Sequence, residues 1–429
     1  MLIEFSVGNF RSFKDIVTLS MVAAPISAKD KELDDNNVFQ VDDELRLLKS
    51  AAIYGANASG KSNLAKALSF MRNFILNSSR ETQITDSIEV EPFALSTESE
   101  DAPSHFELVF ILNGVKYRYG FEATSERVVA EWLFHVPSTR ETWLFKRNDN
   151  NFEIRAKLEA DAIQKLTRKN ALFLSVSAQF NIEQASQILN YVANNLKVVS
   201  GLDDEGYGGY TLDCLSEGIY ENKITLLLKN FDLGFQNIIV DERIIKPEDL
   251  PESTPEQLKR VAVKNKGLPV FLVETTHQKY NSDHELDGFV EFNLREQESE
   301  GTQKLFSLAA PLVDTLETAK TLIIDEFDAR LHPLISREVI QLFNSNQKNP
   351  NSAQLIFMTH DTNLLSNKLF RRDQIWFVEK DRYGATDLYS LVEYKGVRND
   401  ASFEKDYIKG KYGAIPYIRH LDHLIDSNG

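Results

Sequence analysis

The chain has 429 residues, 26% of them charged and 42% hydrophobic, which is enough to bury a large core and favours two lobes. Its single cysteine, Cys214, excludes an internal disulfide and any multi-cysteine metal site, and no apolar run approaches the ~20 residues that span a bilayer. A net charge of −16 argues against a surface that coats DNA non-specifically. We therefore expect a cytoplasmic protein with no membrane partner.

The N-terminal part combines strands with a phosphate-binding loop. Residues 1–7 alternate as in a strand and lack the basic segment and cleavage site of a signal peptide. A polar loop is expected at 28–46, followed by a buried strand at 47–54. The next residues fit G-x-x-x-x-G-K-[ST] at every fixed position, and they are Gly55, Ala56, Asn57, Ala58, Ser59, Gly60, Lys61 and Ser62.

Each residue type in this loop suits a nucleotide polyphosphate. The glycines let backbone N–H groups approach the phosphates, Lys61 can reach the β- and γ-phosphates, and the Ser62 hydroxyl can ligate Mg²⁺. Apolar residues then recur on one face of a helix, at Leu64, Leu68, Met71 and Ile75. The loop therefore lies between a strand and a helix whose N-terminus faces the phosphates, and Asn63 belongs to the same binding segment.

The middle of the chain changes pattern twice. Short alternating segments at 88–155, with Asn113-Gly114 between two of them, predict an antiparallel sheet with a hairpin. Residues 156–265 are mainly helical in pattern, most clearly at 182–196 and 223–231. We accordingly predict three parts, 1–155, 156–265 and 266–429.

The C-terminal part is predicted to alternate strands and helices, with acidic residues and a histidine at strand ends. Strands are predicted at 270–273 and 289–292, then a helix after Gly301, a strand at 321–324, a helix near 334–345 and a strand at 354–358. The strand 321–324 leads into Asp325 and Glu326, which suit a Mg²⁺ partner and a general base for the attacking water. His360 follows the next strand, where it can hydrogen-bond a γ-phosphate. Alternating strands and helices predict a mostly parallel sheet.

A further motif precedes the helix that begins near Lys304. The run Ser299-Glu300-Gly301-Thr302-Gln303 is a degenerate form of the S-G-G-Q signature of ABC-type ATPases, and a serine with a glycine amide at a helix N-terminus suits an anion. By itself the run is equally well read as a helix cap.

Together these motifs resemble the ABC-type AAA ATPases of bacterial abortive-infection and anti-phage operons, of the RloA, AbiL and AriA kind. That family is similar in its head domains to RecF, OLD nucleases and SMC proteins. The resemblance covers about half of the chain, at both ends, and it is carried by Asn9-Phe10-Arg11-Ser12-Phe13, the loop 55–62, Glu298–Gln303, Asp325-Glu326, Leu331-His332-Pro333, Thr359-His360-Asp361 and Tyr412–Pro416.

The resemblance implies an α/β fold, an ABC-type P-loop NTPase head with a mixed sheet, an antiparallel β subdomain and a helical insertion. It implies ATP and Mg²⁺ as ligands and an ATP-dependent dimer or larger assembly of the chain. It places Arg11 near the nucleotide, Ser299, Gly301 and Gln303 across the dimer interface, Asp328 between the two sites and His360 as the switch histidine. Gln179 is the candidate Mg²⁺-sensing glutamine.

The function implied is that of a sensor or regulatory ATPase of a defence system. Its partner would be a separate effector, such as a Toprim-like or other nuclease, and its trigger a phage component or DNA.

Two alternatives stay open, a DNA-repair ATPase of the RecF or SMC type and a nucleotide-gated scaffold with little hydrolysis. A transporter motor fits less well, since 264 residues separate Lys61 from Asp325 (325 − 61). A G-protein switch fits less well, since no Asn-Lys-x-Asp tetrad occurs. A nuclease within the chain would need Glu379 and Asp381, which are more simply parts of a polar hairpin. Basic clusters such as Lys368 with Arg371 and Arg372 are more simply solvated surface charges.

Overall fold

The computed structural model describes residues 1–202, 205–251, 254–398 and 400–416. Residues 417–429 of the predicted C-terminal part lie outside the described residues. The strands are β1 (Leu2–Gly8), β2 (Val17–Ser20), β3 (Val38–Gln40), β4 (Arg46–Leu48), β5 (Ser50–Tyr54), β6 (Ser104–Leu112), β7 (Val115–Ala123), β8 (Val128–Val136), β9 (Thr142–Asn148), β10 (Asn151–Ile154), β11 (Leu196–Ser200), β12 (Asn237–Ile245), β13 (Leu268–Tyr280), β14 (Leu286–Asn293), β15 (Thr321–Asp325), β16 (Gln354–Met358), β17 (Ile375–Lys380) and β18 (Thr386–Ser390).

The helices include the one that follows the phosphate loop and the one that begins inside the signature-like run. They are α1 (Lys31–Asn37), α2 (Lys61–Asn77), α3 (Phe173–Gln179), α4 (Glu183–Asn195), α5 (Glu205–Ser216), α6 (Glu221–Asn230), α7 (Glu256–Asn265), α8 (Glu300–Thr318), α9 (Pro333–Asn344) and α10 (Phe403–Ile408). None of the described helices is long and apolar enough to cross a membrane.

These elements form two compact units. The first contains Met1–Gly201, Thr315–Asp328 and the described residues from Ser336 onward, and the second contains the described residues of Leu202–Asp314 with Ala329–Ile335. These limits differ from the predicted boundaries after 155 and 265. Residues 156–201 belong to the first unit because α3 and α4 pack against α2, and β11 pairs with β15.

The first unit holds the sheet that carries the phosphate loop. Its order is β11-β15-β16-β5-β17-β18, and every neighbouring pair is parallel except β17 with β18. All five residues of β5 are buried, as expected for a strand inside a parallel sheet covered on both faces. Leu64, Leu68, Met71 and Ile75 of α2 are buried as their spacing predicts.

A second, antiparallel sheet of this unit has the order β10-β9-β8-β7-β6-β1-β2. Asn113 and Gly114 form the two-residue turn between β6 and β7, with Leu112 opposite Val115. The hairpin prediction is therefore confirmed. The α/β class with a mixed sheet and an antiparallel β subdomain is confirmed as well.

Glu131 of β8 ties this antiparallel sheet to α3. Its carboxylate accepts hydrogen bonds from the backbone N–H groups of Phe173 and Leu174 at 2.7 and 2.9 Å and from the Tyr119 hydroxyl at 3.0 Å. Arg147 lies 3.6 Å away and is equally buried. Burial raises the pKa of Glu131 even though these partners favour the carboxylate.

Two further predictions for the first unit, the loop at 28–46 and the exposure of Arg371, differ from the structure. The predicted polar loop at 28–46 contains helix α1, capped by the Asp30 side chain on Glu32 N, and the hairpin β3-β4. Arg371, predicted to be a solvated surface charge, is buried, because its guanidinium pairs with Asp34 and Asp373. The run at 375–380 is the strand β17, buried in its first four residues, and together with β18 it forms the hairpin predicted there.

The second unit contains helices α5–α7 and most of α8, in keeping with a helical insertion, and a three-stranded antiparallel sheet in the order β12-β13-β14. The sequence pattern indicated the positions of β13 and β14 but not that of β12. The residues of β12, Asn237–Ile245, do not alternate between apolar and polar types, so the pattern typical of a strand is absent from this segment.

Candidate functional site

The phosphate loop is held between β5 and α2 by contacts with two other elements. Gly60 precedes α2 with a φ of +116°, a conformation that favours glycine. A Cβ there would lie 2.6 Å from Thr386 Oγ1 and 2.8 Å from Ser12 Oγ. Thr386 of β18 also donates its hydroxyl to the Ser59 carbonyl oxygen at 2.8 Å, and Asn63 Nδ2 donates to Ser12 Oγ at 2.7 Å. The loop is therefore fixed from outside as well as by its own turn.

Lys61 points back over the loop. Its Nζ donates to the carbonyl oxygens of Gly55 and Ala56 at 2.7 and 3.1 Å. Burial lowers the pKa of Lys61 to about 8, although the nearby carboxylates of Asp325, Asp328 and Glu326 act in the opposite direction. A bound phosphate group would give this buried amine a directly bonded anionic partner in place of the loop carbonyl oxygens.

The two carboxylates predicted for catalysis stand at the end of β15. Glu326 has a φ of +52°, so the chain turns sharply after Asp325. Asp325 Oδ1 is buried and has no hydrogen-bond partner among the described residues. A buried carboxylate oxygen without a partner is costly and is suited to a cation.

His360 and Asp328 are joined through the main chain. The backbone N–H of His360 donates to Asp328 Oδ1 at 3.3 Å. Burial, followed by the charge of Lys61, lowers the pKa of His360. The neutral imidazole is therefore favoured, a form that can both donate and accept a hydrogen bond.

Parallel pairing brings these distant residues to one edge of the sheet. Ile324 of β15 is opposite Phe357 of β16, and Met358 is opposite Ile53 of β5. The carboxyl ends of the three strands therefore meet, and these ends are where ligands bind in open α/β sheets. The sheet places β16 between the strand of the phosphate loop and the strand of the carboxylates.

A cavity of about 590 Å³ opens at this edge, a volume suited to a nucleotide-sized ligand. Its lining joins most of the phosphate loop to residues that follow the neighbouring strands. The lining residues are Asn57, Ala58, Ser59, Gly60, Lys61, Ser62, Asn63, Glu326, Met358, His360 and Lys380.

Arg11 and Gln179, both predicted to bind the nucleotide or its metal ion, are not among the residues that line this cavity. The Arg11 guanidinium forms an ion pair with Glu91, and its backbone N–H donates to the Glu91 carbonyl oxygen at 2.7 Å. Gln179 is exposed at the last position of α3. Gly55, Ala56, Asp325 and Asp328 are also not among the residues that line the cavity.

The signature-like run belongs to the second unit. The Ser299 hydroxyl accepts the backbone N–H of Thr302 at 3.1 Å and so caps α8. A Cβ on Gly301 would lie 2.9 Å from the Arg330 carbonyl oxygen, so this position requires glycine. Gln303 donates its amide to the carbonyl oxygens of Glu298 and Arg295 at 3.0 and 3.2 Å.

The residues present fit a Mg²⁺ ion bound together with a nucleotide. Ser62 and Asp325 would hold it, because Mg²⁺ takes one or two protein oxygen ligands and completes its shell with phosphate and water. When bound, the ion would neutralise charge on the phosphates. Gln179 is not placed to join these two residues at the cavity.

Sequence reasoning did not assign Ser12, Thr386 or Lys380 to the site, although Ser12 belongs to the run Asn9–Phe13 that carries the family resemblance. Lys380 is the last residue of β17 and lines the cavity, and Thr386 is its partner on β18. Their contribution depends on β17 pairing with β5, which no local pattern reveals. A lysine at the end of an apolar run was the only available signal.

The sheet order and the phosphate loop define an α/β fold of the P-loop nucleotide-binding class. A family model described as "AAA domain, putative AbiEii toxin, Type IV TA system" matches residues 50–366. The chain belongs to this family, whose fold is that of AAA ATPases.

Several solved structures are similar to the chain at low sequence identity. The SMC head domain from Thermotoga maritima is 14% identical, with 91% of this chain and 98% of that chain covered and a TM-score of 0.38. The Smc head domain with a coiled coil and joint from Pyrococcus yayanosii is 12% identical, with 96% and 99% covered and a TM-score of 0.41. The recombination mediator protein RecF with ATP is 14% identical, with 91% and 99% covered and a TM-score of 0.33. No curated protein sequence matches the chain.

Proposed function

We propose that the chain is an ABC-type ATPase that binds and hydrolyses ATP with Mg²⁺. The observation that carries this proposal is the meeting of Lys61, Glu326 and His360 around one cavity at the carboxyl edge of a parallel sheet. A phosphate loop alone fits many nucleotide-binding proteins, whereas a loop facing a glutamate and a histidine also provides groups that can orient water.

The residues divide the chemistry between them. Lys61 and the loop amides bind the phosphates, and Ser62 with Asp325 holds the metal ion. Glu326 accepts the proton of the attacking water, and His360 hydrogen-bonds the γ-phosphate and that water. In this proposal two copies of the chain close on ATP, so that Ser299 and Gly301 of each copy cover the γ-phosphate held by the other, with Asp328 between the two sites.

The biological role that we propose is that of a sensor or regulatory subunit in anti-phage defence, akin to the RloA, AbiL and AriA kind. The family description, which names a toxin of a type IV toxin–antitoxin system, supports a defence role. Effector chemistry, such as that of a nuclease, would reside in a separate partner. The position of Glu379, which a nuclease within this chain would need, supports a separate partner. Glu379 belongs to the sheet that carries the phosphate loop, and its carboxylate accepts a hydrogen bond from the Tyr389 hydroxyl at 3.0 Å.

The substitution Glu326→Gln tests the enzymatic proposal. Removal of the general base is expected to lower kcat for ATP hydrolysis by about 10²–10⁴-fold while ATP binding is retained. Steady-state phosphate release and nucleotide titration measure the two quantities. Glu338→Gln on the exposed side of α9 is the matched control and should turn over like wild type.

Undiminished hydrolysis by Glu326→Gln would refute the assigned base. A wild-type protein that binds ATP but releases no phosphate, alone or with its effector, would instead identify a nucleotide-gated scaffold.

A further inference from the structure

The residue that precedes the signature-like serine is attached to the three-stranded sheet of the same unit. The Glu298 side chain is only 8% exposed, and its Oε1 lies 2.7 Å from His277 Nε2 on β13. The hydroxyl of Thr275, also on β13, donates to the same oxygen. A largely buried carboxylate is costly unless it is hydrogen-bonded, so these two contacts hold Glu298 in place.

The orientation of His277 is fixed by its surroundings. Its ring packs against Phe292 with centroids 4.5 Å apart and meets Phe235 edge-on at 6.4 Å. The imidazole therefore has little freedom to turn away from Glu298. Thr275 is fully buried beside it, at a position where β13 pairs with β14.

Glu298 in turn determines the shape of the segment that follows. Its carbonyl oxygen accepts the Gln303 side-chain amide at 3.0 Å, which closes a loop around Ser299. The Ser299 hydroxyl is then placed to cap α8 through Thr302 N at 3.1 Å. Displacing Glu298 would therefore disturb both the serine and the glutamine of the signature-like run.

We propose that His277 and Thr275 are positioning residues, which act through Glu298 to hold Ser299–Gln303 in the conformation that receives the nucleotide of a second copy. The inference rests on the proposed function, because it deepens the role assigned there to Ser299. In this proposal the three-stranded sheet holds Ser299–Gln303 in place. This segment is the part of the composite site that contacts ATP already bound to the phosphate loop of the other copy.

The test substitutes His277→Leu in the full-length chain that also carries Glu326→Gln. Amide hydrogen exchange of the peptide 296–306 should rise about tenfold, as expected for the loss of a hydrogen bond to a charged group. ATP-dependent dimerisation should weaken by about tenfold, whereas the ATP affinity of the single chain should change less than twofold. His277→Gln, which keeps a donor, should restore most of the dimerisation, and Gln278→Leu on the same strand is the matched control.

Thr275→Val provides a nearly isosteric second variant in case His277→Leu does not fold. It should raise exchange of the same peptide by about threefold. Combining His277→Leu with Ser299→Ala should weaken dimerisation no further than Ser299→Ala alone, because both act through one group.

Unchanged exchange of 296–306 in both His277→Leu and Thr275→Val would overturn the inference. Additive losses in the double variant would overturn it as well. If Ser299→Ala leaves ATP-dependent dimerisation intact, the composite-site proposal fails, while the exchange measurement still decides whether His277 positions the segment.

Discussion

At the scale of single residues, the site depends on charges that are buried before any ligand arrives. Lys61 is 6% exposed, and the charges near it include the carboxylates of Asp325, Glu326 and Asp328. A polyphosphate would replace these contacts with a stronger anionic partner. Binding should therefore be coupled to the protonation of this amine.

This coupling predicts a pH dependence of ATP affinity. The charged form of Lys61 is the one expected to bind phosphate, and its pKa of about 8 means that this form is lost as the pH rises through that value. Above pH 8 the Kd for ATP should increase by about tenfold per pH unit. Titration of a fluorescent ATP analogue between pH 6.5 and 9.5 measures this slope.

Lys61→Arg is the matched variant, because its guanidinium stays charged throughout this range. It should bind ATP more weakly but with a flat profile above pH 8. An equal slope in both proteins would assign the titration to another group.

At the scale of secondary-structure elements, the β17–β18 hairpin supports the phosphate loop. Besides the Thr386 hydroxyl on Ser59, the Thr386 backbone N–H donates to the Ser12 carbonyl oxygen at 2.7 Å. The β1–β2 connection, the hairpin and the loop thus form one rigid group, and Gly60 lies at their contact.

Gly60→Ala should therefore disrupt the loop. The new Cβ would meet Thr386 and Ser12 within 2.9 Å, and alanine disfavours a φ of +116°. ATP affinity, measured by isothermal titration, should fall at least about tenfold. Gly206→Ala at the start of α5, where a Cβ meets nothing within 4 Å, should bind ATP as wild type does. Wild-type affinity in Gly60→Ala would show that the hairpin does not constrain the loop.

The link between β8 and α3 allows a prediction of stability. Glu131→Ala removes the carboxylate that caps α3 and leaves the Arg147 charge buried beside an empty space. Breaking a buried pair in this way costs about 3–5 kcal/mol in the free energy of unfolding. Urea denaturation followed by tryptophan fluorescence measures it, with exposed Glu153→Ala on the same sheet as the control. A loss below 1 kcal/mol would contradict the capping role.

The β6–β7 hairpin and helix α2 could be predicted because each has a strong pattern in its own short stretch of sequence. Asn113-Gly114 fixes its own turn, and the apolar face of α2 repeats at helical spacing. Helix α1 was missed because Leu33 is the single apolar residue of 31–37, so the segment shows no apolar face. The helix is held through an ion pair between Asp34 and the distant Arg371. Arg11 was assigned to the nucleotide from the family pattern, whereas its partner Glu91 could not be identified from spacing alone. Lys380 lines the cavity because β17 pairs with β5, and more than half of the chain separates these two strands.

At the scale of the whole molecule, the two halves of the proposed site lie in different compact units. The phosphate loop and the carboxylates belong to the first unit, and Ser299 belongs to the second. If one copy supplies the phosphate loop of a site and the other copy supplies Ser299, a chain with a defective loop and a chain with a defective Ser299 should together form one working site. A closed dimer with twofold symmetry contains two such sites.

Mixing Lys61→Ala chains with Ser299→Arg chains tests this arrangement. Each variant alone should be inactive, but a heterodimer retains one site with an intact loop and an intact serine. Half of the dimers in an equal mixture are heterodimers with one working site of two, so ATP turnover should recover to about a quarter of wild type. No recovery, with heterodimers verified by mass photometry, would indicate that each chain completes its own site.

The strand order of the central sheet has a consequence for synthesis of the protein. Strand β5 leaves the ribosome early, yet its neighbours β16 and β17 follow roughly 300 residues later, which is about 15–60 s of translation at ordinary rates. Until then the phosphate loop has no sheet to support it, and the glutamate and histidine that face it do not yet exist. The ability to use ATP should therefore arise late and abruptly during translation.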